Sequence, residues 1–255
     1  MPRKGGRGFS IKSKWTKTKW LLSDRSLREF VPETKQFSLK TLKRMTGKYK
    51  MLYFKPTGGT GGGGIARIMR SSKGGFHVRK DLRSANVSSR GALYRKLKRI
   101  ANGRSYLLQK GIKLQTSKGR PFDFRMTVQR SKRRKWVPTV MFVKLGKPGK
   151  IVTNYHQGGR LALIEPTLRR SGYNKAQVAS YKKQLTKLGM ETGRCFDRRT
   201  KKLNELGLDV ALDREGKLWI LEVNTRPSYS ALKSLKDKSF YRKVVRYGRN
   251  YGRLR

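Results

Sequence analysis

Residues 208–227 read LDVALDREGKLWILEVNTRP, and this stretch holds Asp209, Asp213, Glu215 and Glu222, four of only 14 Asp+Glu in a chain with 65 Lys+Arg. Two apolar runs flank the turn signal DREG, which makes the pair an antiparallel hairpin. With 213–216 as the loop, Leu212 faces Lys217 and Asp209 faces Ile220. Period-two alternation then sets Asp209, Leu218, Ile220, Glu222 and Asn224 on one face, with Glu222 diagonal to Asp209. Diagonal side chains lie roughly 7 Å apart, so two carboxylates and an amide can converge on a cation. Asp213 and Glu215 fall in the turn and are expected in solvent. A hairpin with a polar exposed face is the plainer reading. Against it stands Glu222 in the middle of an apolar strand, where an unpaired charge is costly.

Outward from the hairpin, 255 residues suffice for one sizeable domain or two lobes sharing a cleft. The apolar runs MLYF, TVMFV and LWILEV are short and bounded by Gly, Pro or charge, as in a mixed α/β chain. No run approaches membrane-span length and MPRKGGRGF has no apolar signal core, so a cytoplasmic protein without a membrane span is expected. One cysteine, Cys195, and two histidines, His77 and His156, make no zinc constellation, so any metal must be held by oxygen. The formal net charge of +51 attracts polyanions, with an anionic polymer or acidic peptide as candidate partner. A solvated surface biased to Lys and Arg accounts for so diffuse a charge equally well.

A basic, largely helical opening segment spans 1–50 and contains the extended FVPET. MLYFKPTGGTGGGGIARIMR follows: a strand ending at Lys55-Pro56, glycines between Gly58 and Gly64, and a second strand from Ile65, which together form a hairpin lid. Glycines allow close backbone approach to phosphate oxygens. The loop lacks GK[ST] and leads into a strand, so it is not a Walker A loop, and glycine runs of this kind are more often mobile linkers. A helical stretch SSRGALYRKLKRIANG precedes YLLQKGIKL, DFRMTVQR and TVMFVKLG, all strand-like; a helix is expected over Lys175–Leu188 and a basic tail at the end. In DFRMTVQR, Phe122, Phe124, Met126 and Val128 share one face, and Asp123, Arg125, Thr127 and Gln129 the other. Arg125 could neutralise a terminal phosphate or a developing acyl phosphate, with Lys144 in support from the next strand.

In this order, KP with a glycine loop, QKGI, DFR, and Asp209 with Glu222-x-Asn224 resemble the ATP-grasp superfamily. SKWTKTKWLL, FVPET, YFKPTGGTGGGGI, DFRMTVQR, GKPGKIVTNYHQGG and LWILEVNTRP resemble, within it, the YheC/YheD group described as endospore coat-associated proteins. The likeness runs from about Ser13 to Ser230. It implies an α+β fold in which two lobes enclose a nucleotide cleft: a small lobe at 51–108, a large lobe with the metal site at 109–235, and a basic tail at 236–255. It implies ATP and Mg²⁺ as cofactors. Lys55 matches the phosphate lysine, and Gly58, Gly59, Gly61 and Gly62 the phosphate-covering loop. Gln109, Lys110 and Ile112 fall at the hinge that meets adenine, and Asp123 on the nucleotide-facing strand. Asp209, Glu222 and Asn224 match the magnesium ligands, and Arg125 the basic residue at the transferred phosphoryl. A second nucleotide lysine falls within KSKWTKTK, where several compete and Lys14 is the residue named. Association with the spore coat is implied likewise.

The chain departs from the group at Lys144, where Arg is usual, and at Ser228 after Pro227, where Gly is usual. The additional N-terminal domain usual in the superfamily has no counterpart in these residues. The implied reaction joins an unknown carboxylate to an amine or other nucleophile through an acyl phosphate. Competing readings are a non-catalytic spore-structural or polyanion-binding protein that keeps the fold, and a basic nucleic-acid-binding module with a coincidental glycine loop.

Overall fold

A computed structural model describes residues 9–59, 63–147 and 159–253. The chain runs α1 (Lys14–Leu22), β1 (Thr34–Gln36), α2 (Leu39–Lys48), β2 (Met51–Pro56), β3 (Ala66–Arg70), β4 (Phe76–Lys80), β5 (Arg83–Val87), α3 (Arg90–Ala101) and β6 (Tyr106–Lys110). It continues through β7 (Thr116–Ser117), β8 (Arg120–Arg130), β9 (Trp136–Leu145), β10 (Arg160–Ala162), α4 (Ile164–Arg170), α5 (Lys175–Asp197), β11 (Glu205–Leu212), β12 (Leu218–Asn224) and α6 (Ser239–Arg249). The helices start where side chains can satisfy free amides. Ser13 caps α1, and Ser38 with Thr41 and Asn174 with Gln177 form reciprocal capping boxes at α2 and α5.

Two antiparallel sheets result, ordered β1-β6-β2-β3-β4-β5 and β10-β9-β8-β11-β12, with β7 paired to β8. Alternation decides which face of each is dry. In the first sheet Leu52, Phe54, Ile68, Val78 and Leu108 pack on Leu42 and Met45 of α2 and Leu93 and Leu97 of α3. In the second, Phe122, Phe124, Met126 and Val128 of β8 and Leu206, Leu208, Val210 and Leu212 of β11 pack on α5 and on Leu21, Leu27 and Val31. The opening segment is therefore divided: α1 lies on the second sheet, while β1 and α2 complete the first. A third cluster seals Val140 and Phe142 beneath Tyr229, Leu232 and Val244 of α6, so residues read as a basic tail form a docked helix.

The hairpin of β11 and β12 differs from its expected register. Leu212 pairs with Leu218 rather than Lys217, and the turn is one residue longer, closed by Asp213 N–H donating to Lys217 O at 3.0 Å. A bulge then inserts Leu221, because Val210 pairs with Ile220 and Asp209 with Glu222. The extra residue inverts the parity of the strand. Leu218, Ile220 and Val223 consequently face the core, and Glu222 and Asn224 face away from it. Asp213 also departs from expectation. It is 7% exposed, and its carboxylate accepts from the amides of Glu215 and Lys217 and from Trp219 Nε1 at 2.6 Å.

Candidate nucleotide and phosphoryl-transfer site

The register places Glu222, Asp209, Arg125 and Phe142 in one row across β12, β11, β8 and β9, on the face opposite the α5 core. Beside it runs Trp219, Ala211, Asp123 and Lys144, and on the other side Asn224, Gly207, Thr127 and Val140. Asp209 Oδ1 takes Lys144 Nζ at 2.7 Å and Arg125 Nε at 3.1 Å, and Lys144 Nζ also reaches Asp123 Oδ1 at 3.2 Å. Asn224 Nδ2 donates to Asp209 Oδ2 at 3.4 Å. Burial alone would raise the Asp209 carboxyl, yet Arg125 and Lys144 hold it below the usual carboxylate range. Burial works against the Lys144 ammonium, and Asp123 and Asp209 outweigh it, so its proton is held above the ordinary lysine value.

Arg125 ends in a donor that finds no hydrogen-bond partner among the described residues: Nη1 is buried and unpaired there. Buried N–H groups are rarely left so. Gly207 makes room for it, since a Cβ there would sit 2.7 Å from Arg125 Nη1 and 2.8 Å from Pro227 Cβ.

The first sheet faces this row with a second group of cations. Lys55 at the end of β2 donates to Gln109 Oε1 at 2.5 Å, and Gln109 Nε2 donates to Thr34 Oγ1 at 3.1 Å. From α1, Lys14 Nζ reaches Glu222 Oε1 at 3.2 Å and donates to Gly59 O at 2.6 Å. Lys17, three residues on and so on the same helix face, is 6% exposed. Lys14, Lys17, Lys55, Gln109 and Glu222 line a cavity of about 20 Å³. Burial lowers Lys17 and Lys55 to about 8 each, against the attraction of Glu222, and Lys14 adds to the depression.

The structure thus gathers Lys14, Lys55, Gly59, Gln109, Asp123, Arg125, Lys144, Asp209, Glu222 and Asn224 around one cleft. Gly61 and Gly62 lie outside the described residues; Gly58 precedes them with open space around its Cα. Lys110 N–H donates to Glu33 O at 2.8 Å, so that amide is committed to the sheet, and the Lys110 ammonium stands 4.6 Å above the Trp219 ring. Ile112 is buried nearby. Gly207, Trp219 and Glu205 were not anticipated, and Lys17 is one of the lysines that compete within KSKWTKTK, beside Lys14. Glu205 accepts from the Tyr229 hydroxyl, from Tyr251 OH at 3.0 Å and from Arg253 Nε at 2.8 Å, closing the far end of the same sheet face.

Among the described residues no three His, Cys, Asp or Glu side chains gather as a metal cluster. The donor set is two carboxylates, on directly paired residues, and an amide. These are hard oxygen donors of the kind Mg²⁺ takes, and they fit an ion whose remaining positions go to phosphate oxygens. No helix among the described residues is long and apolar enough to cross a membrane.

The family model described as YheC/D like ATP-grasp matches residues 8–254. The chain is 27% identical over 225 residues to the endospore coat-associated protein YheD of Bacillus subtilis (strain 168), covering 86% of this chain and 49% of that one. It is 26% identical over 231 residues to YheC of the same organism, covering 89% and 62%. It therefore spans about half to three-fifths of the length of these relatives. Among solved structures, D-alanyl-alanine synthetase A from Vibrio cholerae O1 biovar eltor str. N16961 is similar in fold, with TM-score 0.54 and 13% identity over 94% of this chain and 61% of that one.

Proposed function

The chain belongs to the YheC/D-like ATP-grasp family and has its α+β fold, and from that premise we propose that it is an ATP- and Mg²⁺-dependent ligase joining a carboxylate to an amine or other nucleophile. The observation that carries this reading is Arg125 Nη1, buried without a partner among the described residues on the sheet row that also bears Asp209 and Glu222, while Glu222 in turn lines a cavity with Lys14, Lys17 and Lys55. Lys14, Lys17 and Lys55 would hold the nucleotide phosphates, and the loop around Gly58 and Gly59 would cover them. Asp209, Glu222 and Asn224 would hold Mg²⁺, which offsets phosphate charge. The substrate carboxylate would attack the γ-phosphorus as the bond to ADP breaks. Arg125 would donate to the oxygens gaining charge, with Lys144 fixing Asp209 and Asp123 around it. The amine or other nucleophile would then attack the acyl carbon, forming the new bond as the bond to phosphate breaks, with inorganic phosphate leaving and the nucleophile giving up its proton. The hinge at Gln109, Lys110 and Ile112 would meet adenine.

A second reading, a coat-associated or polyanion-binding protein that keeps the fold without turnover, draws on the net charge of +51 and on the names of the relatives. Calorimetric titration with ATP, with and without Mg²⁺, followed by ADP release over paired carboxylates and amines, separates the two. Binding strengthened by Mg²⁺ together with acceptor-dependent ADP release is expected. Absence of binding at millimolar ATP would overturn the proposal, and binding without turnover for any pair would favour the second reading.

A further inference from the structure

On the cleft face of the first sheet a single row of side chains crosses all six strands: Thr34, Gln109, Tyr53, Arg67, Arg79 and Ser84. Arg67 and Arg79 are direct cross-strand partners on β3 and β4, an arrangement in which like charges repel and destabilise the sheet. Neither belongs to any ion pair among the described residues. Among the described residues, Arg67 Nε is buried without a hydrogen-bond partner, and Arg79 Nε reaches only the Asp81 carbonyl, at 3.4 Å. Lys55 shares this face, with its ammonium 5.7 Å from the centre of the Tyr53 ring. Strands lie about 4.8 Å apart, so the two guanidiniums step outward about 5 and 10 Å from the lysine strand.

Two opposed guanidiniums, one with an orphan N–H, do nothing for the stability of the sheet, and an anion between them would satisfy both. The guanidinium fork matches a planar carboxylate. Resting on the ligase reading above, we propose that Arg67 and Arg79 form a second carboxylate subsite, and that the substrate activated beside Arg125 is an acidic peptide carrying a further carboxylate. An extended chain rises at most about 3.3–3.6 Å per residue, so acidic side chains two residues apart span the interval between the lysine strand and the arginine pair. A protein of net charge +51 draws such a chain in. The row offers one aromatic, Tyr53, rather than the series of stacking faces that single-stranded nucleic acid uses.

The test measures fluorescence anisotropy of labelled hexaglutamate and calorimetric Mg-ATP binding on the same proteins. R67Q/R79Q is compared with R95Q/R99Q, which removes equal charge from exposed positions on α3, the helix packed against the other side of this sheet. R67Q/R79Q is expected to weaken hexaglutamate at least tenfold, with Mg-ATP affinity unchanged and thermal midpoint unchanged or raised; R95Q/R99Q should cost less than twofold. R79Q alone, losing one fork, should fall between. Equal losses in both double variants would mean diffuse charge attraction and overturn the subsite. So would a parallel loss of Mg-ATP affinity in R67Q/R79Q, which would make the arginines nucleotide contacts, or tighter binding of an oligonucleotide than of hexaglutamate. Should Mg-ATP bind nowhere while hexaglutamate still depends on the pair, the ligase reading fails and the anion site stands.

Discussion

Glu222 is the side chain at which catalyst and scaffold make opposite predictions. Its carboxylate is 27% exposed, pairs with Lys14 and lies directly opposite Asp209, so it contributes little to packing and much to local charge. Glu222→Gln keeps the shape and removes the charge. Stability is expected to change by no more than about 0.5 kcal/mol, while phosphoryl transfer should fall by about 100-fold or more, as when a preorganised charge-stabilising group is removed. Asn224→Ala should cost less, because water can replace an amide oxygen. The matched control is Glu215→Gln, an exposed turn position. Asp213→Asn cannot serve, because Asp213 organises the turn through two amides and the Trp219 indole. ATP turnover and thermal unfolding, measured on all three variants, decide the matter: equal turnover in Glu222→Gln and Glu215→Gln would remove Glu222 from the metal site.

Elements carry this site by their parity and their close approaches. Helix α5 lies near the second sheet because Gly193 presents no side chain to Trp136; a Cβ there would meet the indole ring at 2.6–2.7 Å. Gly193→Ala gains about 0.5–1 kcal/mol of helix propensity, but overpacking costs about 1–3 kcal/mol, so packing wins. A lower urea midpoint with an unchanged slope is the expected result, and a raised midpoint would show that α5 shifts freely. The same contrast explains what could be read in advance. Phe122, Phe124, Met126 and Val128 alternate without interruption, so the polar face bearing Asp123 and Arg125 was legible. On β12 the alternation continues through Glu222 on paper, and only the Leu221 bulge shows which way that carboxylate points. Strand β1 has three residues and exists because Thr34 pairs with Gln109, far along the chain. Strands β4 and β5, built of FHVRK and RSANV, are too polar to stand out. Helix α6 did carry a signal, with Phe240 and Val244 at helical spacing, but the density of basic residues masked it. Lys17 was equally accessible, one turn after Lys14 on a helix whose buried face the sequence did not specify.

At the scale of the whole molecule, the proposed nucleotide binding would bring cations from two sheets onto one ligand, and protons would report it. Lys55 comes from the first sheet, while Lys17 comes from α1 packed on the second. Burial lowers both to about 8, below the ordinary 10.5. In the free protein both ammoniums are charged below about pH 8, folded or unfolded. Between about pH 8 and 10.5 the unfolded chain binds more protons, so these two groups make folding more favourable as pH rises through that window. Bound phosphate reverses the preference, because an anion favours the charged lysine. Nucleotide binding should therefore take up protons above about pH 8 and weaken as pH climbs, but take up almost none at pH 6.5 from these groups. Calorimetry with ATP in two buffers of different ionisation heat, at pH 6.5 and pH 9, measures the uptake directly. Lys55→Gln should remove its share of the uptake at pH 9 and leave that of Lys17. Salt distinguishes this local effect from the field of a +51 chain, since the long-range field is screened over about 10 Å at 0.1 M ionic strength while the buried lysines remain shielded from the added ions. If uptake at pH 9 is absent, or vanishes with added salt as fast as the affinity does, the buried lysines do not face the phosphates and the cleft is not where ATP is held.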